Sequence, residues 1–194
     1  GCMIVNTFEA IYQRRSIRKF SNKNIDKELI GKILDASTKA PSSKNMQPWR
    51  FFVLENPKKN ELVGLLKKKL TSINRFGIKI GSIRKSMECM EEAPITIFVF
   101  NAKIKRSIIE KLFDFVPKTS NILSIGASIQ TMLLAAEDLG LSSLWLCDVI
   151  FFRSIIRKFI NTKEELIAAI VLGYSDEKPD ARPRKNWKEI TKWI

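Results

Sequence analysis

An α+β or mixed α/β layer architecture is expected for this chain, and three features predict it. Helix-period segments are mixed with four or five short apolar runs of strand composition. No internal repeat or low-complexity tract interrupts them. The length of 194 residues, with 45% hydrophobic and 28% charged residues, suits a single domain, 1–194, with one full core.

The first helix is expected over 7–15, where Phe8, Ile11 and Tyr12 recur at helical spacing. A second runs from an N-cap at Asp26 to Lys39 and buries Leu29, Ile30, Ile33 and Leu34. Pro41 ends it and Pro48 leads into a strand over 49–55, because proline fixes φ and has no amide hydrogen. Asn56-Pro57 opens a third helix, with a cap and a proline at its first position. Residues 71–92 are helical in places without a clear boundary. The run PITIFVF, 94–100, reads as a buried strand.

The longest helical pattern covers about 120–139. Ile122, Ile125, Ile129, Met132, Leu133 and Ala136 follow the 3.6 period, and Gly140 stops it. Gly126, Ala127 and Ser128 permit close approach of another backbone, so this helix is expected at the centre and at a subunit interface. A strand over 142–146 and a helix over 151–159 follow. Thr162 and Glu165 have capping-box spacing, yet 166–173 has strand composition. The segment 175–194 reads as an extended tail whose Trp187, Ile190 and Trp193 dock on the domain or on a partner subunit.

Composition excludes several classes of chemistry. Without histidine there is no histidine triad and no His-containing zinc site. The three cysteines, Cys2, Cys89 and Cys147, lack metal-type spacing and fit a reducing cytoplasm. No apolar run approaches the ~20 residues that span a bilayer, and Gly1-Cys2-Met3 lacks the basic n-region of a signal peptide. The net charge of +14 is read first as solvated helix faces, as at Lys67-Lys68-Lys69. A nucleic-acid-binding module or attraction of anionic small molecules are the alternatives; nucleic acid leaves the polar loop described next unexplained.

Between Pro41 and Pro48 lie Ser42, Ser43, Asn45 and Gln47, neutral hydrogen-bonding side chains in a short loop beside Trp49. A linker needs no such set; a surface that holds a polar ligand does. After the first helix, Arg14-Arg15-Ser16-Ile17-Arg18 in extended geometry turns Arg14, Ser16 and Arg18 to one side, where guanidinium forks and a hydroxyl match phosphate oxygens. Taken alone, a basic helix end is ordinary dipole complement. In the tail, Pro183 holds Arg182 and Arg184 in parallel, although a solvated tail is the plainer reading. The strand end at Cys147 and Asp148 offers free backbone amides; Cys147 reads as a small buried hydrophobe and Trp145 as core.

Together RRSIRKF, APSSKNMQPWRF, GASIQTMLLAAEDLGLSSLW and ARPRK, in this order over nearly the whole chain, resemble the nitroreductase family. The resemblance implies a central, mostly antiparallel mixed sheet flanked by helices in an intertwined homodimer. It also implies an FMN-dependent enzyme that takes hydride from NADH or NADPH and reduces nitroaromatics, quinones or similar small molecules by ping-pong transfer. By the same resemblance Arg14, Arg15, Ser16 and Arg18 hold the flavin phosphate and pyrimidine edge, and Arg182 and Arg184 close on that phosphate. Pro41, Ser42, Ser43, Asn45 and the adjacent Gln47 reach a flavin bound mainly by the other subunit, while backbone amides at Cys147 and Asp148 approach N5. No side chain is implied as a catalytic acid or base, and no metal. Asn74, Lys79, Arg84 and Lys85 are all candidates for a further pyrimidine-edge contact, and none aligns. Asp148 stands where glycine is common. Reductive dehalogenation, flavin breakdown, redox sensing or flavin storage remain open on the same scaffold.

Overall fold

The computed structural model describes residues 7–75, 81–103 and 115–194. Gly1, Cys2, Met3 and Lys79 lie outside these described residues. The elements are α1 (Thr7–Gln13), α2 (Lys27–Thr38), β1 (Trp49–Leu54), α3 (Lys58–Arg75), α4 (Gly81–Glu92), β2 (Ile95–Asn101), α5 (Phe115–Asp138), β3 (Ser142–Leu146), α6 (Arg153–Ile160) and β4 (Glu165–Gly173). The segment read as ambiguous resolves into the end of α3 and the whole of α4.

The sheet order is β1-β2-β4-β3, and all three ladders are antiparallel. The parallel contact is a single bridge, Ser16 to Ser143, which lays the segment after α1 along the outer edge of β3. Alternation along the central strands divides the core. Ile95, Ile97 and Val99 of β2 join Ile33 of α2 and Ile125, Ile129 and Met132 of α5 on one face. Phe98 and Phe100 join Leu66 of α3, Met87 of α4 and Ile156 of α6 on the other. Helices therefore cover both faces, and every residue of β2 is buried. The register shifts between Val99 and Phe100, whose partners are Ala168 and Leu166. Ile167 is the extra residue, a β-bulge that lets Leu166 and Ala168 serve opposite faces.

Three expectations change against the structure. The first helix ends at Gln13, before the arginines, which frees 14–18 for the sheet edge. Asp148–Phe152 forms a 3-10 turn ahead of α6. Thr162 caps no helix: its Oγ1 accepts from the Glu164 N–H at 3.2 Å in a local turn. Pairing of the following residues with both β2 and β3 then draws them into β4. Asp26 caps α2 as expected, its Oδ1 accepting from the Glu28 N–H at 2.9 Å. Gly140, with φ +71°, terminates α5. Gly173 is required for a different reason. A Cβ there would lie 2.7 Å from Phe20 Cδ1 and 2.9 Å from Pro94 Cδ, so glycine lets the N-terminal segment cross the end of β4.

Candidate functional site

Extended backbone after α1 produces the first half of the site. Ile17 turns inward and is buried, its N–H donating to Ser143 O at 3.1 Å. Its neighbours Ser16 and Arg18 face the other way, together with Arg14 and Arg15. The tail returns alongside, and Arg182 and Arg184 line the same cavity of about 510 Å³. Two basic clusters from opposite ends of the chain thus form one wall. Among the described residues, no carboxylate forms an ion pair with any of these five arginines. The guanidinium bonds found are to nearby carbonyls: Arg15 Nη1 to Tyr12 O (2.6 Å), Arg18 Nη1 to Ser16 O (3.0 Å) and Arg184 Nη1 to Arg182 O (3.0 Å). Asp180 is the acidic residue in the lining. Helical spacing marks Tyr12 only as part of one face of α1, and nothing local marks Pro179 or Asp180 as site residues; all three line the cavity only once the tail is placed.

Arg18 also belongs to a second cavity, of about 370 Å³, between α4 and the end of β3. Cys147 and Asp148 line it, with Ser82, Lys85, Ser86 and Cys89 from α4. These four are spaced as one face of a helix, a periodicity that could have marked the wall in advance. Of the two open candidates whose side chains are described, Lys85 lies at this site. Arg84 lines a different cavity with Lys67 and Glu88.

Cys147 is exposed and Trp145, at 36% exposure, lines the cavity, so neither is the core residue that strand composition predicts. Partial desolvation, with the Asp148 carboxylate, pushes the Cys147 thiol up. It stays protonated and a poor nucleophile at neutral pH. The Asp148 side chain accepts at Oδ2 from Ser86 Oγ at 2.8 Å, tying the strand end to α4, and its buried Oδ1 has no partner among the described residues. Cys147 and Asp148 open the 3-10 turn, where the first N–H groups have no intrahelical acceptor.

The loop 41–47 lies elsewhere. Its Ser43 N–H donates to Ser124 Oγ of α5 at 3.3 Å. Gln47 donates from N to Ser42 Oγ (3.0 Å) and from Nε2 to Asn45 Oδ1 (3.1 Å), so the loop holds its own shape. Lys44, Asn45 and Gln47 all have positive φ, at 51°, 54° and 44°. Asn tolerates this region; Lys and Gln there cost on the order of 1 kcal/mol each. Pro41, Ser42, Ser43, Asn45 and Gln47 are not brought to the arginine cavity of their own chain.

The Nitroreductase family model matches residues 11–174. The chain belongs to that family. A provisionally named NADH dehydrogenase/NAD(P)H nitroreductase of Methanothermobacter thermautotrophicus is 31% identical over 182 residues, 92% of this chain and 82% of the relative. Among solved structures, an FMN- and NADPH-dependent nitroreductase from sphigopyxis sp. superposes with a TM-score of 0.80 at 18% identity, covering 97% of this chain and 99% of that one. A provisionally assigned nitroreductase in complex with FMN from Desulfovibrio desulfuricans gives 0.72 at 24%, covering 97% and 96%. These two likenesses are of fold, and the nitroreductase fold is the one described above.

Proposed function

We propose that the protein is an FMN-dependent oxidoreductase that takes hydride from NADH or NADPH and reduces nitroaromatic, quinone or similar small-molecule acceptors by a ping-pong mechanism. The observation that carries this reading is the convergence of Arg14, Ser16, Arg18, Arg182 and Arg184 on one cavity, with no carboxylate among the described residues in ion-pair distance of the arginines. A terminal phosphate accepts from several guanidiniums at once, each charge-assisted bond contributing about 1.5–3 kcal/mol. Arg18 walls both cavities, so a ligand with a phosphate at one end and a flat polar ring at the other fits the pair. FMN is such a ligand, and when bound it supplies the hydride-accepting ring. Leu144, Trp145 and Leu146 offer that ring apolar surface, and the amides of Cys147 and Asp148 offer it donors. The names of the sphigopyxis and Desulfovibrio proteins, which mention FMN, support the choice.

A homodimer completes the site. The loop 41–47 is fixed at Ser124, whereas the arginines stand near Glu137 at the other end of the same helix. That separation is about 20 Å along the axis at 1.5 Å per residue, so the loop is placed to serve a second copy of the chain. Exposed Phe8 and Tyr12 of α1, Leu123 of α5 and Trp187 and Trp193 of the tail supply apolar surface for such an interface. No helix among the described residues is long and apolar enough to cross a membrane.

Purified protein is expected to be yellow and to release FMN on denaturation. Arg14→Ala and Arg184→Ala weaken FMN affinity by about tenfold or more, as loss of a charge-assisted bond requires, while Lys68→Ala changes it by less than about twofold. A colourless preparation that added FMN cannot reconstitute overturns the proposal.

A further inference from the structure

The tail returns beside the residues after α1, and Glu177 bonds to their backbone. Its Oε2 accepts from two successive backbone amides, Arg18 N–H at 2.7 Å and Lys19 N–H at 3.1 Å. Consecutive amides that point into one concavity form an anion nest, and here the chain's own carboxylate fills it. Glu177 is itself oriented by a turn in which its N–H donates to Ser175 Oγ at 3.0 Å. Among the described residues, no other hydrogen bond or ion pair joins 175–185 to 14–19. Neighbouring amides go to other parts of the fold: Ile17 to Ser143 O, Phe20 to Glu92 Oε2 at 3.4 Å and Ser21 to Tyr174 O at 2.8 Å.

We propose that Glu177 is the positioning residue of the anion cavity: its carboxylate latches the C-terminal arm to Arg18 and Lys19. The latch fixes the backbone of Arg18, the residue shared by both cavities, and sets the arm from which Arg182 and Arg184 reach the same space. This role rests on the cavity's binding FMN through its phosphate.

The proposal opposes simple electrostatics in sign. Removing a negative charge beside five arginines should strengthen phosphate binding if charge alone matters. If Glu177 is a latch, Glu177→Ala weakens FMN binding by about tenfold or more, the scale of losing a charge-assisted contact. Glu177→Gln retains an acceptor oxygen and is expected within about threefold of wild type. Asp176→Ala removes a neighbouring charge with no contact to the nest and leaves affinity unchanged. Riboflavin, which lacks the phosphate, should lose less affinity than FMN in Glu177→Ala. Affinities are measured by quenching of flavin fluorescence, and amide hydrogen exchange of the 14–20 peptide is measured on the same proteins without ligand. Faster exchange at Arg18 and Lys19 in Glu177→Ala, restored in Glu177→Gln, supports the latch. Unchanged exchange, or FMN affinity equal to or tighter than wild type in Glu177→Ala, overturns it. If wild type binds no FMN, the proposed cofactor fails, while the exchange experiment still decides the latch.

Discussion

Glu137 stands half-buried in the last turn of α5, where Arg14 and Arg15 act on its carboxylate. Burial raises its pKa from 4.5, and the two arginines oppose that rise without cancelling it. The folded state therefore holds this proton more tightly than the unfolded chain does. Stability falls as pH climbs from the ordinary carboxylate range through the raised value, and above it the cost of the buried charge is fully present. Glu137→Gln should stabilise the protein at pH 7 by a small amount, under about 1 kcal/mol. The difference should vanish below about pH 4, where the carboxyl is neutral in both states. Thermal unfolding of both proteins across pH 3.5–8 measures it approximately; a less stable Gln variant at pH 7 would show that the arginine contacts outweigh burial. At this scale the side chains that face the cavities were legible where spacing alone decides direction. Arg14, Ser16 and Arg18 point together because extended backbone alternates. Exposure was not legible for Cys147 and Trp145, because strand composition does not say where a sheet ends and a cavity begins.

Between elements, Lys59 joins the start of α3 to the end of α4. Its Nζ donates to Glu91 O at 2.8 Å and to Ala93 O, carbonyls that the helix end leaves without intrahelical partners. The side chain is 1% exposed, and burial lowers its pKa to about 8, with the Glu91 carboxylate opposing the fall. Here the folded state binds the proton more weakly, so the cost of burying the ammonium is fully present below pH 8 and gone above 10.5. Lys59→Met removes that cost but strands two carbonyls, each worth about 1–3 kcal/mol. Urea unfolding should find the variant closest to wild type at pH 7, where the two effects oppose each other, and less stable by about 2–6 kcal/mol above pH 10.5, because wild type gains stability between pH 8 and 10.5. A gap constant with pH would mean that burial leaves the Lys59 pKa unshifted. Nothing local in the lysine-rich start of α3 announces this role, since the acceptors lie at the far end of the next helix. The same limit explains Thr162. Its local turn is real, but pairing with β2 and β3 decides the conformation after it. The long helix periods of α2 and α5 and the continuous apolar run of β2 needed no tertiary information to be placed.

For the molecule as a whole, the decisive question is whose loop serves which cavity. Pro41 and Pro48 made the shape of 41–47 legible, and the left-handed residues at 44, 45 and 47 show that shape being held against local strain. Its distance from the arginines was not legible, because it depends on where the loop docks along α5. A mixed dimer can decide this. One chain carries Arg14→Ala with a normal loop; the other carries normal arginines with Ser43→Ala and Asn45→Ala. If the loop acts across the interface, one site of the heterodimer collects both defects and the other is intact. FMN binding then recovers to about half the wild-type stoichiometry, with the affinity of the intact contacts restored. If the loop acts within its own chain, every site keeps one defect and nothing recovers. Each homodimer alone is expected to bind weakly, so co-expression with two affinity tags, followed by FMN titration of the doubly purified species, separates the outcomes. Absence of recovery in a verified heterodimer would refute lending of the loop.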